Sequence, residues 1–392
     1  MSSVTEMTNL SVDTRVSPTD QVDHAIVLPI DWYFDPDIYA REIKVLFESG
    51  LQYVGHELMV PKVGDFKTLE RFEHAQMLVR QADGGVSLIS NICRHRQALM
   101  LEGAGALPHQ RISCPLHRWV YGADGQLLAA PQFAQNPCLH LARTELHNWR
   151  GLLFQGDMED TPHFDDIPLA EYFDFSGYSL DRVEMTDYPF NWKTFIEVYL
   201  EDYHVGVIHP GLKKFVSCHN LEWSYGARWS MQTVGLNPQW GNSRSAPYRQ
   251  WQDELNRRHA EDSSAYPFGA IWFTYYPGLM IEWYPDVLVI STIQPTGIGQ
   301  CRNMVEYYYP ADIVAHQRGL IEAQQSAYHE TAVEDEVICI KMQQGRRALY
   351  RDGKNETGPY QSPLEDGMRH FHRFLRKNID SKTTVMAQIS IK

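Results

Sequence analysis

The chain has 392 residues, of which 43% are hydrophobic and 21% charged, and its formal net charge is −14. This length predicts about two domains, and the composition is typical of a globular protein. The negative charge argues against nucleic acid or an anionic membrane as a partner. No apolar run reaches the roughly 18 residues of a membrane-spanning helix, and Met1–Val22 lacks a secretory pattern. We interpret Met1–Val22 as a flexible arm.

The six cysteines do not form the pattern of a disulfide framework. Two of them belong to a motif described below, and the other four show no close pairing. A reducing cytoplasm is therefore the expected location. The cysteines are Cys93, Cys114, Cys138, Cys218, Cys301 and Cys339.

The first predicted element is a helix that packs and has no chemical role. Asp35 can cap it, Pro36 suits the first helical position, and Gly50 can end it. Residues 1–50 therefore read as an arm followed by a packing helix. An apolar stripe at helical spacing comprises Tyr39, Ile43, Leu46 and Phe47.

Short strands separated by turns follow, over residues 51–157. Residues 77–80 and 86–89 predict a hairpin that turns through Asp83-Gly84-Gly85. We expect a small antiparallel β domain here.

Two Cys and two His inside this region fall in an order that needs explaining. Cys93-x-His95 is separated by eighteen residues from Cys114-x-x-His117. Four such side chains can hold a tetrahedral zinc ion, or a [2Fe–2S] cluster in which two His replace two Cys on one iron. Zinc sites usually bring two Cys into one half-site, so the Cys-x-His half-site favours the cluster. Zinc and a chance pattern remain alternatives.

Three arginines lie beside these four residues, although the chain as a whole is negatively charged. Arg94, Arg96 and Arg118 can compensate the charge of the cluster locally, or they can form a docking surface for an acidic electron donor. The sequence leaves both interpretations open.

A second domain is predicted over residues 158–392, and it opens with a helix. Residues 191–204 read as helical, with Glu201 and His204 on one face, and His209 follows five residues later. Two imidazoles and one carboxylate form the facial triad of non-haem Fe(II) oxygenases. On its own this pattern is weak, because such a pair of histidines is more often polar core or surface.

Aromatic strands and a long helix complete the second domain. The helix is predicted over residues 312–349 and contains three consecutive acids, Glu334, Asp335 and Glu336. The strands are predicted at residues 271–276, 280–284, 287–291 and 304–309.

Both motifs resemble those of one family. The segments 91–96 and 114–119 resemble the two cluster loops of Rieske proteins. Asn191-Trp192-Lys193, followed by an acid, Tyr-His and His-Pro, resembles the catalytic-iron motif of Rieske non-haem iron oxygenase large (α) subunits, the aromatic-ring-hydroxylating dioxygenase family. The resemblance covers nearly the whole chain beyond about residue 30.

The resemblance implies a role for each motif residue. Cys93, His95, Cys114 and His117 would hold the [2Fe–2S] Rieske cluster, and His204, His209 and Asp335 would hold the mononuclear Fe(II). Glu201 would be a bridging carboxylate that joins His204 to His117 of the partner subunit.

The neighbours of the motif residues are expected to be less important. Glu334 and Glu336 are expected on a solvated face, and Asp202 on a different helix face from Glu201. Val198 departs from the family, in which many members have Asn, and this puts hydrogen bonding at the iron in doubt.

The fold that the resemblance implies is α+β. It consists of a small antiparallel β Rieske domain and a helix-grip (START-like) antiparallel sheet with long helices. The active form would be a homotrimer, because electrons cross between subunits in this family.

The implied function is the terminal oxygenase component of a multicomponent system that uses O₂. Electrons would come from NAD(P)H through a separate flavin reductase, a ferredoxin or both, because the chain has no dinucleotide fingerprint. The expected reaction is hydroxylation of an aromatic or similar small organic substrate. The alternative is a Rieske monooxygenase that performs oxidative N-demethylation or hydroxylation of a quaternary amine. An electron carrier with the cluster alone and a zinc-binding interaction module remain alternatives from other classes.

Overall fold

The computed structural model describes residues 26–70, 73–156, 164, 167–237, 243–259 and 266–380. The predicted arm at Met1–Val22 lies outside the described residues, as does part of the segment that joins the two predicted domains. Among the described helices, none has both the length and the apolar character to cross a membrane.

The predicted packing helix begins at the expected residue, but it continues from an α-helix into a π-helical turn. Helix α1 spans Pro36–Glu42, and the Asp35 side chain accepts hydrogen bonds from the N–H groups of Asp37 and Ile38 at 2.7 and 3.0 Å. The chain then continues as one π-helical turn over Ile43–Phe47. Gly50 follows with a φ of +76°, a conformation that glycine adopts without strain.

The amino-terminal part is built from three antiparallel sheets. They have the strand orders β1-β11-β10, β5-β2-β3-β4-β9 and β6-β7-β8, and the predicted hairpin is confirmed as β3 and β4. The strands are β1 (Gln52–His56), β2 (Asp65–Thr68), β3 (Gln76–Arg80), β4 (Val86–Ser90), β5 (Ala104–Ala106), β6 (Arg111–Ser113), β7 (Val120–Gly122), β8 (Leu127–Ala129), β9 (Arg143–Thr144), β10 (His147–Trp149) and β11 (Leu152–Gln155).

The carboxyl-terminal part is organised on one seven-stranded antiparallel sheet. Its order is β12-β18-β17-β16-β15-β14-β13, so the first strand of the sheet pairs with the last and β12 forms an edge. The strands are β12 (Tyr178–Tyr188), β13 (Val216–Tyr225), β14 (Trp229–Leu236), β15 (Ala270–Tyr275), β16 (Leu279–Tyr284), β17 (Val287–Gly297) and β18 (Gln300–Pro310).

Helices cover one face of this sheet. The longest, α6, has 34 residues and packs Leu320, Ile321 and Ala327 against Val289 and Tyr307 of the sheet. The α-helices of this part are α2 (Trp192–Tyr199), α3 (Val205–Ile208), α4 (Ala246–His259), α5 (Ala311–His316), α6 (Arg318–Arg351) and α7 (Asp366–Ile379).

The opposite face of the sheet carries the amino-terminal part. Phe154 of β11 shares a hydrophobic core with Phe273, Ile290 and Tyr308 of the sheet. The predicted α+β class, with a small antiparallel β domain and a helix gripped by an antiparallel sheet, is confirmed. The boundaries at residues 51–157 and 158–392 stay a proposal.

Candidate functional site

Two loops of the same design carry the four predicted cluster residues. In each loop the cysteine N–H donates to the carbonyl five residues further on, at 2.9 and 2.8 Å. The carbonyls of Cys93 and Cys114 accept from the N–H groups of Gln97 and Arg118. Gln97 and Arg118 both have positive φ, +56° and +58°, which costs roughly 1–3 kcal/mol for a non-glycine residue. Two tight, matched turns therefore present the ligands.

The loops place the sulfur atoms inside and the imidazoles outside. Cys93 and Cys114 are both 1% exposed, whereas His117 lies at the surface and His95 is half-buried. The two imidazole rings are 4.6 Å apart between centroids, and the His95 ring stacks on Trp119 at 4.9 Å. This division suits a cluster with two thiolates on an inner iron and two imidazoles on an outer one.

Hydrogen bonds prepare Cys93 for the thiolate form. Burial raises its pKa, but the Tyr121 hydroxyl at 3.5 Å and nearby backbone N–H groups lower it to a value below the usual one. Tyr121 also accepts from the N–H of Arg94, which ties this residue to the first loop. The donor set fits a [2Fe–2S] group.

The predicted helix over residues 191–204 ends early, at Tyr199. The Asn191 side chain caps α2 by accepting from the N–H of Lys193 at 2.9 Å. Beyond α2, the N–H of Asp202 donates to the Leu364 carbonyl at 3.0 Å, so the chain leaves the helical path. Glu201 and His204 consequently meet across a turn, not along a helix face.

Three predicted ligands converge in the described part of the chain. The Nε2 atoms of His204 and His209 are 2.9 Å apart, and the Asp335 Oδ1 atom lies 3.4 and 3.0 Å from them. These residues form the one group of His, Cys, Asp and Glu found among the described residues that could surround a single ion. The arrangement fits a 2-His-1-carboxylate iron.

A carboxylate holds the far nitrogen of each histidine. Glu201 Oε1 lies 2.5 Å from the Nδ1 atom of His204, and Glu334 Oε2 lies 2.7 Å from the Nδ1 atom of His209. Such partners fix the tautomer and turn both Nε2 atoms toward the metal position. The expectation that Glu334 lies on a solvated face is therefore wrong, since this turn of α6 faces the histidines.

The electrostatics of His204, His209 and Asp335 favour a bound cation between them. Burial lowers the pKa of His204, but Asp335 and Glu201 raise it to about 10. Burial raises the pKa of Asp335, yet the two imidazoles hold it below the usual range. The residues therefore suit a bound cation such as Fe(II) between the two Nε2 atoms and the Asp335 carboxylate.

A cavity of about 170 Å³ opens beside these residues and is lined by His204, His209 and Asp335. Val198 and Asp202 line it as well. Because Asp202 lies beyond the end of α2, it faces the same cavity as Glu201, and burial raises its pKa to about 6. Neither residue lies on α2, so the expected difference of helix face does not apply to them.

The cavity contains a carboxylate that sequence reasoning missed. Glu282 of β16 is 1% exposed and accepts hydrogen bonds from Tyr284 at 2.6 Å and from Tyr328 at 2.9 Å. Trp272 donates to the Tyr284 hydroxyl at 2.8 Å, and burial raises the pKa of Glu282 to about 7. The one available signal was an acid inside an apolar strand, Met280-Ile281-Glu282-Trp283-Tyr284.

Two family models match the chain and together span most of it. The model described as the Rieske [2Fe-2S] domain matches residues 50–150. The model described as the ring hydroxylating alpha subunit (catalytic domain) matches residues 170–381, more than half of the chain.

Relatives and solved structures extend this match. A putrescine 2-hydroxylase of Ralstonia nicotianae is 50% identical over 374 residues, covering 95% of this chain and 100% of that protein. Another, of Bordetella bronchiseptica, is 47% identical and covers 89% of this chain and 84% of that protein. The crystal structure of the quaternary ammonium Rieske monooxygenase CntA with an inhibitor shares the fold. It has a TM-score of 0.69 at 20% identity and covers 90% of this chain and 95% of that one.

Proposed function

The chain belongs to the Rieske non-haem iron oxygenases, as a terminal oxygenase, and on this premise we propose that it hydroxylates a small aliphatic amine, preferably a diamine. The observation that carries the proposal is Glu282, a buried carboxylate inside the cavity beside the iron ligands. Two relatives at 50% and 47% identity are named putrescine 2-hydroxylases, which supports the same substrate class.

Glu282 and its aromatic neighbours suit an alkylammonium group. A buried carboxylate without a counter-charge is costly, and an ammonium ion would supply that charge together with hydrogen bonds. The Tyr199 hydroxyl is buried in the cavity beside Glu282, so its oxygen can accept from the same ammonium. Trp272 and Tyr284 add ring faces that attract cations.

The remaining site residues hold the two iron groups that the family uses. Iron bound by His204, His209 and Asp335 would activate O₂, and the cluster at Cys93, His95, Cys114 and His117 would deliver electrons. Glu201 and Glu334 keep the two histidines oriented, while the aromatic walls exclude water from the reacting carbon.

Electrons are proposed to cross between subunits, as the resemblance implies. His117 is exposed at one end of that route. At the other end, Glu201 lies beside Tyr203 and Val207, which are 61% and 80% exposed. A homotrimer would bring His117 of the partner subunit to Glu201. A separate flavin reductase, with or without a ferredoxin, would supply NAD(P)H electrons in the cytoplasm.

Glu201→Gln tests this route. The amide oxygen still accepts from His204, so the iron is expected to stay bound, but electron transfer to it should slow. Rapid-freeze spectroscopy of the reduced cluster after O₂ is admitted measures the rate. Unchanged cluster oxidation in this variant would contradict the route.

An aromatic substrate, expected from the sequence, is the weaker fit to the cavity. The flat aromatic walls suit a ring. A neutral ring, however, leaves the buried Glu282 carboxylate without a counter-charge. A quaternary amine supplies the charge but has no N–H to donate to Glu282 or Tyr199. Primary amines meet both requirements.

Anaerobic single turnover tests the substrate class. The protein is reduced chemically, given putrescine, 1-aminobutane, choline or benzoate, and then exposed to O₂. A hydroxylated amine in stoichiometric yield is the expected product, and Glu282→Gln should remove most of it. A hydroxylated ring, or formaldehyde from choline, with no product from either primary amine, would refute the proposal.

A further inference from the structure

The cavity is also lined by Glu184, a carboxylate on the edge strand β12 of the sheet. We propose that Glu184, together with Tyr307, forms a second ammonium subsite, so that one diamine is held at both ends, by Glu282 and by Glu184. This inference rests on the proposed function and deepens it. It explains how the site would distinguish a diamine from a monoamine of the same length.

The register of the sheet puts the two carboxylates on the same face. Glu282 of β16 pairs with Val289 of β17, which pairs with Tyr307 of β18. Glu184 of the edge strand β12 pairs with Val305, two residues from Tyr307 and therefore on the same side of the sheet. Both carboxylates consequently point toward the cavity under α6, and both line it.

The spacing suits a four-carbon diamine. Three strand spacings, about 14 Å in total, separate β16 from β12, and the two-residue offset of Glu184 adds about 7 Å along the strand. The backbones of the two glutamates are thus about 16 Å apart, and their carboxylates come closer when each side chain leans toward the cavity between them. An extended four-carbon diamine spans roughly 6 Å between its nitrogens, given bonds of about 1.5 Å. A hydrogen bond of about 3 Å at each end brings the total to about 12 Å.

Tyr307 connects the two ends. Its hydroxyl donates to Glu184 Oε2 at 3.3 Å, and its ring packs edge-on against Tyr328 with centroids 5.5 Å apart. Tyr328 in turn donates to Glu282. Burial, then Glu184, and further Glu282 raise the pKa of Tyr307, so its hydroxyl lies in the field of both carboxylates.

Glu184 remains available to a substrate although it has a basic neighbour. Arg182 contacts Glu184 Oε1 at 2.6 Å, but the two side chains are 46% and 37% exposed. Ion pairs exposed to this degree contribute little to stability. The second oxygen, Oε2, faces Tyr307 and the cavity, where an ammonium can replace or share the arginine contact.

Calorimetric binding of putrescine and of 1-aminobutane to the anaerobic holoenzyme tests the inference. In wild type, putrescine should bind about tenfold more tightly than 1-aminobutane. That ratio should fall to about one in Glu184→Gln, and Tyr307→Phe should lower it by a smaller factor. Arg182→Gln should raise the ratio, because it frees Glu184. Asp187→Asn is the matched control, since Asp187 is an exposed acid on the same strand paired with Arg302 outside the cavity.

The outcomes separate this inference from the proposed function. If wild type binds neither amine, the amine substrate itself is refuted, and the second subsite with it. A second outcome is that both amines bind and that Glu282→Gln weakens the binding of both. If the ratio of putrescine affinity to 1-aminobutane affinity is then unchanged in Glu184→Gln and Arg182→Gln, only the second subsite is refuted. Opposite shifts in Glu184→Gln and Arg182→Gln, with no shift in Asp187→Asn, support it.

Discussion

Glu201 and Glu334 take equivalent positions, one on the Nδ1 atom of each candidate iron-binding histidine. Each holds its imidazole so that the Nε2 atom faces Asp335. The two carboxylates come from different elements, the turn after α2 and the long helix α6. Their joint effect is that neither ring can rotate freely without losing a charge-assisted hydrogen bond.

Glu334→Ala should therefore weaken iron binding by about 10–100-fold, the usual effect of losing such a partner. Glu334→Gln keeps an acceptor for His209 and should retain most of the affinity. Chelator competition followed by iron analysis measures the loss. Glu322→Ala, on the exposed face of the same helix, is the control. Equal iron retention in Glu334→Ala and Glu322→Ala would show that Glu334 does not position His209.

Glu282 should make amine binding depend on pH. Burial raises its pKa to about 7, and the tyrosines around it have pKa values raised further above 10, so they stay neutral. A primary ammonium stays charged to about pH 10, as lysine does. Only the ionised carboxylate pairs with the ammonium, so protonation below pH 7 weakens binding.

The affinity for 1-aminobutane should accordingly rise about tenfold from pH 6 to pH 8, from the change in the ionised fraction of one group. Titration calorimetry across this range measures it. Glu282→Gln should bind weakly and with no slope over the same range. A flat profile in the wild-type protein would show that Glu282 does not meet the ammonium.

At the scale of elements, a buried ion pair fixes the helix that leads into the iron site. Lys193, in the first turn of α2, contacts both oxygens of Glu42 at 2.8 Å, and both side chains are 0% exposed. Trp192 adds a hydrogen bond to Glu42 at 3.0 Å. The end of α1 is thus tied to the start of α2, and α2 sets where Glu201 and His204 lie.

Lys193→Met should destabilise the fold by about 3–5 kcal/mol, because it leaves Glu42 buried without a counter-charge. Chemical denaturation of the wild type and of Lys193→Met measures the free energy of unfolding of each. Lys44→Met, at an exposed position in the adjoining π-helical turn, should change it little. A double variant, Lys193→Met with Glu42→Leu, should recover much of the loss. Similar stability of Lys193→Met and wild type would contradict the buried pair's role.

At the scale of the whole molecule, the chain keeps its two candidate iron sites in separate parts. The cluster loops lie in the amino-terminal sheets, and the mononuclear site lies between α2, α6 and the seven-stranded sheet. The two sites lie against different hydrophobic cores, so we expect that the loss of one metal group would leave the other in place.

The complete protein should contain three irons and two acid-labile sulfides per chain. An electron carrier would contain two irons, and a zinc module none. His204→Ala should lower the iron content to two while the cluster spectrum stays the same, and it should abolish turnover. Iron and sulfide analysis with absorption spectroscopy provides the measurement. Loss of the cluster spectrum in His204→Ala would contradict the independence of the sites.

The surface around the cluster offers a further test at this scale. Arg94, Arg96 and Arg118 are exposed, and His117 is exposed among them. If they form a docking surface for an acidic donor, charge reversal of Arg96 and Arg118 should slow donor-dependent reduction and weaken its salt dependence. Stopped-flow reduction at several ionic strengths measures both. An unchanged rate would favour local charge compensation instead.

The sequence alone supplied the cluster motif and the pair of histidines, because their ligand types recur at fixed short spacings, and its resemblance to a family supplied the fold class and the candidate Asp335. Tertiary structure decided what depends on distant contacts. The helix before His204 ends at Tyr199, and Glu334 reaches a histidine 125 residues away. Glu282 and Glu184 face one cavity only because strands β12 to β18 pair in this register. Sequence periodicity gives the face of a strand, but strand order decides which side chains meet.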